Sequence, residues 1–255
     1  MNDTKEERTA YGRNIFRKPL KWGRAFGIGG AKLNQLESLK LKTGERVLDE
    51  GCGMGFVIGN INAKERYGID IEPSHISQAR ARYPEVNFSV RSVEDTGFQD
   101  GFFDLILCLD VIEHTEDDVK VVREAYRILK PQGSLVLSTP VKGSNILPFS
   151  RKITENLHRM WGHVRLYSMD ELTKLLEMNG FIVVNTRTHV YIITKVLSYL
   201  YGVVGRWAVK KSTAQNLSSY GSIVEKFMMW TDKLERLLKL GTPFQMFIVA
   251  VKKTQ

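Results

Sequence analysis

The sequence predicts a doubly wound α/β domain around a mostly parallel, seven-stranded sheet, and three observations predict it. From Gly44 to Thr139 short β-branched runs alternate with helical patterns, the arrangement in which βαβ units feed a parallel sheet. The first run passes straight into a glycine-rich turn, Asp49-Glu50-Gly51-Cys52-Gly53-Met54-Gly55. An acid, Asp70, closes the second run about 20 residues after that turn.

The elements follow in order. Strands are expected at Arg46-Val47-Leu48-Asp49, at residues 65–70, 86–90 and 103–108, and at Ser134-Leu135-Val136-Leu137-Ser138. A helix over 116–129 gathers Val119, Val122, Ala125, Ile128 and Leu129 on one stripe, and Lys130-Pro131-Gln132-Gly133 then forces a turn. Ser168-Met169-Asp170-Glu171 is a capping-box pattern opening a helix that Gly180 closes. Strands restart at Phe181-Ile182-Val183-Val184 and over residues 244–251. The stretch between these two is far longer than a simple connection needs, so an insertion is expected there. Residues 1–43 then form a basic arm and helix, 44–187 the core, 188–242 the helical insertion, and 243–255 the last core strand.

Composition narrows the setting. The two cysteines, Cys52 and Cys108, have neither metal-ligand nor disulfide-framework spacing, which points to a reducing, cytoplasmic location. The N-terminal residues are polar, unlike a signal peptide, and no apolar run reaches the roughly 18 residues of a membrane span. The net charge of +9 is unevenly spread: the middle of the chain is acidic and both flanks are basic. Such flanks suit phospholipid head groups, nucleic acid or an anionic small molecule, or serve only as a solvated surface.

The glycine turn carries the sharpest chemistry. Alternate glycines let the backbone turn tightly and approach a ligand closely, and the helix start behind them favours an anionic group. The spacing is G-x-G-x-G, with Phe56 where a dinucleotide fingerprint needs its last small residue, and no Gly-Lys-Ser/Thr follows as in a phosphate-binding loop. Asp70 is placed to accept both ribose hydroxyls of an adenosine; by itself it would also read as an acid at a helix start.

These residues resemble the class I S-adenosylmethionine-dependent methyltransferases, over about residues 44–140, with a Rossmann-like fold. The resemblance implies that Asp49, Gly51, Cys52, Gly53 and Gly55 cradle the methionine end of S-adenosylmethionine, and that Asp70, with Ile71 beside it, takes the ribose. Ser92, Val93 and Glu94 fall on the strand end that contacts adenine, with Ser92 where the family usually has Asp. The turn at 129–133 is similar to the family's L-K-P-G-G, with Gln132 for the first Gly. Leu109-Asp110-Val111-Ile112-Glu113-His114 resembles the branch that includes ubiquinone-pathway O-methyltransferases, where Asp110 can hold the methionine ammonium. His114 is the candidate general base, since imidazole titrates near neutrality. Some relatives use acid-x-x-Glu-His as metal ligands; no metal is assigned to Asp110, Glu113 and His114, because such groups on a loop more often cap the helix that follows.

His158, His163, Arg165 and Tyr167 lie after the fifth strand, where this fold places substrate loops, and offer donors to an anionic or hydroxylated acceptor; the plainer alternative is a packed lid. In the insertion, Ile192, Ile193, Val196, Leu197, Leu200, Val203 and Val204 recur at helical spacing, and a second amphipathic helix runs over about 222–240. These helices either cover an acceptor pocket or meet an anionic membrane, to which Arg206, Lys210, Lys211 and the basic arm would contribute. The resulting expectation is methyl transfer from S-adenosylmethionine to a small or lipid-like acceptor. Nucleic acid is the less favoured partner, because no Asn/Asp-Pro-Pro-aromatic motif for a flipped base is present. A non-catalytic cofactor-binding module is the other alternative.

Overall fold

The computed structural model describes Lys32 and Leu36, residues 45–143, His158 and Arg159, and residues 161–189 and 245–254. The basic arm apart from Lys32 and Leu36, and the insertion from residue 190, lie outside the described residues, so the expectations placed on them are not addressed by it. The strands are β1 (Arg46–Glu50), β2 (Glu65–Asp70), β3 (Asn87–Val90), β4 (Phe103–Leu109), β5 (Leu129–Pro140), β6 (Phe181–His189) and β7 (Gln245–Lys252). The helices among the described residues that concern the site are α1 (Phe56–Asn60), α2 (Pro73–Arg82), α3 (Asp118–Ile128) and α4 (Met169–Met178).

One seven-stranded sheet results, in the order β3-β2-β1-β4-β5-β7-β6. β1 through β5 pair in parallel, whereas β7 runs antiparallel between β5 and β6. The chain winds outward from β1 to β3 and then restarts at β4 on β1's other side. That reversal leaves a crevice at the carboxyl ends of β1 and β4, where open α/β sheets take ligands. β1 is buried along nearly its whole length, as a central parallel strand must be when both faces are covered. Val47, Leu105 and Leu107 pack to one side with Ile58, Ile76 and Phe88, and Leu48 and Ile106 to the other with Val122, Ile128, Leu172 and Leu176.

Local signals explain most boundaries. Ser168 and Glu171 form the reciprocal capping box at the head of α4, and Gly180 ends that helix at φ 91°. The turn at 130–133 interrupts β5: Leu129 pairs with Phe103, but Ser134 is next in register against Leu105, and Gln132 takes φ 62°. The apolar face of α3 is made by Val121, Val122, Ala125 and Ile128; Val119 is only half-buried, because the helix starts at Asp118 and its inward stripe is rotated from the one expected. No helix among the described residues is long and apolar enough to cross a membrane.

Candidate active site

β1 ends in a turn in which Gly51, Gly53 and Gly55 all have positive φ (63°, 52° and 77°). The turn is tied to the end of β2 twice: Cys52 N–H donates to the Ile69 carbonyl at 2.9 Å, and Gly53 N–H donates to Asp70 Oδ2 at 2.9 Å. The glycine turn and the acid that the sequence places about 20 residues apart are thus directly bonded. Gly55 packs against Phe88, and an added Cβ there would lie 2.6 Å from that ring. At Gly53 a Cβ would meet nothing within 4 Å, so this glycine alone of the three leaves free space above the turn. The helix behind the turn, α1, is five residues long, so the turn's shape rather than a long helix start characterises the site.

Acidic groups gather at the carboxyl ends of β1 and β4. Asp49 is buried with Oδ2 lacking a hydrogen-bond partner among the described residues, and burial pushes its carboxyl up to about 7. Asp110 follows β4 at φ 57°, a left-handed conformation that costs a non-glycine residue on the order of 1 kcal/mol or more. Its Oδ1 accepts from Ser138 Oγ at 3.0 Å and from Gln245 Nε2, and its Oδ2 pairs with Lys32 Nζ at 3.3 Å. Lys32 Nζ also donates to the Leu109 carbonyl at 2.8 Å. Sequence reasoning missed Lys32, Ser138 and Gln245. Nothing in their local patterns marks them, since they meet Asp110 only through sheet order and long-range packing.

The turn after β4 is stitched to residues 162–165. Val164 N–H donates to the Glu113 carbonyl at 2.8 Å, and His114 Nδ1 bonds the Gly162 carbonyl at 3.1 Å. A carbonyl only accepts, so Nδ1 carries the proton and, in the neutral ring, Nε2 keeps its lone pair. The His114 ring is edge-on to His163 at 4.8 Å between centroids, and His163 Nδ1 lies 2.8 Å from His158 Nδ1. Glu113 is fully buried, and neither carboxylate oxygen has a hydrogen-bond partner among the described residues. Its carboxyl is held above the ordinary range, first by burial and then by the Asp110 charge. Glu113, His114 and His163 bring ligand atoms within 4.8 Å of one another, a donor set whose chemistry fits a divalent transition ion. The helix-capping role expected for the acidic loop falls instead to Asp117, whose side chain accepts from Lys120 N–H.

Other expected site residues are engaged elsewhere. Tyr167 is buried and donates its hydroxyl to Asp118 Oδ2 at 2.8 Å, while Arg165 pairs with Asp118 and donates to the Glu116 carbonyl. Both therefore brace the start of α3. His158 is buried against His163 and Trp161. Val93 belongs to the core, and the Glu94 carboxylate accepts the N–H groups of Glu116 and Asp117. Ser92 Oγ accepts from Glu94 N–H, and Ile71 is an exposed apolar side chain beside Asp70. A cavity of about 570 Å³ lies at the outer edge of β3, lined by Tyr67, Arg80, Phe88, Arg91 and Phe98 among others, and includes none of the glycines of the turn.

Residues 48–137 match the family described as Methyltransferase domain. A probable S-adenosylmethionine-dependent methyltransferase of Mycolicibacterium smegmatis is 34% identical over 146 residues, covering 56% of this chain and 54% of that protein. A ubiquinone biosynthesis O-methyltransferase of Xanthomonas oryzae is 38% identical over 104 residues, covering 38% of this chain and 43% of the relative. The chain thus spans about half the length of the curated relatives it matches. Among solved structures, Haemonchus contortus phosphoethanolamine N-methyltransferase 2 in complex with S-adenosyl-L-methionine superposes with a TM-score of 0.60 at 19% identity, over 94% of this chain and 55% of that one. The cyclase SpnF superposes with a TM-score of 0.59 at 18% identity, over 96% and 88%. Likeness at that identity establishes the fold and leaves the chemistry to the site. In fold, in the order of its motifs and in the matched segment, residues 48–137, the chain is similar to the class I S-adenosylmethionine-dependent methyltransferases.

Proposed function

We propose that the crevice binds S-adenosylmethionine and that the chain transfers its methyl group to a small or lipid-like acceptor carrying a hydroxyl or an activated carbon. The observation that carries this reading is the bond between Gly53 N–H and Asp70 Oδ2, which joins a turn open to a ligand with an acid suited to a ribose diol. Asp49, Asp110 and Glu113 gather near the ends of β1 and β4; burial favours the neutral forms of Asp49 and Glu113, and a bound sulfonium and ammonium would draw them toward their charged forms. Ile71 and the backbone of the turn after β3, at Ser92 and Val93, would flank the adenine.

Methyl transfer is a displacement at the sulfonium methyl: the acceptor atom forms its bond to carbon as the carbon–sulfur bond breaks, and the electron pair stays on sulfur. The protein's part is to align acceptor and methyl and to exclude water, which can supply several kcal/mol, on the order of 7–11 in well-oriented cases. His114, held through Nδ1 by Gly162, presents Nε2 to take the proton of an acceptor hydroxyl. Where a divalent ion is bound by Glu113, His114 and His163, it would take the same Nε2 lone pair, and it would polarise the acceptor oxygen in place of the base.

Labelled methyl transfer from S-adenosylmethionine to a host extract, separated into lipid, small-molecule, RNA and protein fractions, tests the assignment. Label is expected in the small-molecule or lipid fraction. Label in RNA would move the acceptor to nucleic acid, and cofactor binding without transfer to any fraction would leave a binding module. Within this reading the basic arm and Arg206, Lys210 and Lys211 serve a lipid acceptor at an anionic surface. Sedimentation with anionic vesicles, weakening as salt rises, is the corresponding check.

A further inference from the structure

The ribose acid is more heavily engaged than a simple diol acceptor would be. Asp70 Oδ1 accepts from Glu72 N–H at 2.9 Å and lies 3.3 Å from Nδ1 of His75, while Oδ2 accepts from Gly53 N–H. A carboxylate oxygen has two good acceptor directions. Oδ2 therefore keeps one for an incoming hydroxyl, whereas both on Oδ1 are taken. The two backbone donors are fixed by the glycine turn and by the start of α2. The imidazole is the donor that can leave: His75 stands in the first turn of α2 with 44% of its side chain exposed, against 13% for Asp70, so it lies over the carboxylate from the solvent side.

We propose that His75 competes with the cofactor at its site, occupying the Oδ1 position of Asp70 in the free protein and giving it up to the second ribose hydroxyl when S-adenosylmethionine binds. This rests on the reading of the crevice as an S-adenosylmethionine site. Its consequence is competition between an imidazole and a ribose for one carboxylate oxygen. The competition sharpens when the ring is protonated, because an imidazolium pairs with Asp70 more strongly than a neutral ring does. The other charged groups near the ring leave it to Asp70. The Glu72 carboxylate accepts the Ser74 N–H, and Arg91, whose N–H bonds the Asp70 carbonyl, turns its guanidinium to the Thr96 carbonyl and over the Phe98 ring at 4.5 Å. The sequence gives no hint of this: a histidine five places after an acid reads as an ordinary helix-surface residue.

Titration calorimetry of S-adenosylmethionine into the wild-type chain and into His75→Ala, from about pH 8 down to about pH 5, tests it. The readout is the difference between the two profiles, which removes the contribution of Asp49 and of the cofactor's own groups. His75→Ala is expected to bind more tightly on the acid side by about two- to fivefold, the range of a half-exposed ion pair, with the gap narrowing toward pH 8. Coincident profiles with measurable binding, or weaker binding by His75→Ala at every pH, overturn the competition while the cofactor assignment stands. Lack of binding by both proteins overturns the assignment and the inference together. NMR of the His75 ring at a fixed pH reads the contact directly: its signals should move when S-adenosylmethionine is added and when Asp70 is replaced in Asp70→Asn, and signals unmoved by both overturn the proposal.

Discussion

Glu50 of β1 stands in register opposite Cys108 of β4, and both side chains are buried in the layer between the sheet and α3. Neither oxygen of Glu50 has a hydrogen-bond partner among the described residues, and burial pushes its carboxyl up to about 8. The unfolded chain would release this proton near 4.5, so between 4.5 and about 8 the fold holds a proton that the unfolded chain has lost. Stability contributed by the neutral acid therefore falls as pH rises through that window, and Asp49, raised to about 7, adds to the same trend.

Glu50→Gln keeps the side chain's shape and removes its charge. The variant should match wild type near the acid end of the window and exceed it above about pH 8 by roughly 2 kcal/mol or more, about 4–8 °C in Tm for a chain of this size. Thermal melts across pH decide it. Parallel Tm curves for the two proteins would mean that Glu50 is solvated or paired in solution.

The glycines of the turn divide by what surrounds them. Gly53→Ala should leave the chain folded, at a cost of about 1–2 kcal/mol for a left-handed alanine, and weaken S-adenosylmethionine binding about tenfold or more, because its methyl group enters the ligand's space. Gly55→Ala should lower Tm, because its methyl group meets the Phe88 ring at 2.6 Å. Melts and calorimetry on both variants check the division; a Gly53→Ala protein with normal cofactor affinity would make that glycine purely structural.

His114→Ala should leave cofactor affinity unchanged and reduce turnover of a hydroxyl acceptor by about 100-fold, the lower range for loss of a general base. Single-turnover assays on the labelled fraction supply the measurement. Unchanged turnover would mean that the acceptor's nucleophile needs no base and that alignment alone carries the rate.

The geometry of the half proposed for the cofactor was legible in the sequence, because its residues sit at strand ends within one run of βαβ units. The glycine turn and Asp70 could be read from order alone, and β2 was placed residue for residue. The half proposed for the acceptor was less legible. His163 reaches His114 only after the chain has crossed β5, and Lys32 and Gln245 reach Asp110 from opposite ends of the sequence. Arg165 and Tyr167, expected as donors to the acceptor, both engage Asp118 in this structure. Pattern shows which face of an element is apolar; it does not show which distant polar group will answer a buried one.

Calorimetric titration of S-adenosylmethionine into wild type and Asp70→Ala tests whether Asp70 closes an S-adenosylmethionine site. Wild type is expected to bind one equivalent, and the variant to lose about 1.5–3 kcal/mol of affinity, the usual worth of charge-assisted hydrogen bonds, while remaining folded. Equal affinity in the two proteins, or no binding by wild type, would contradict the account.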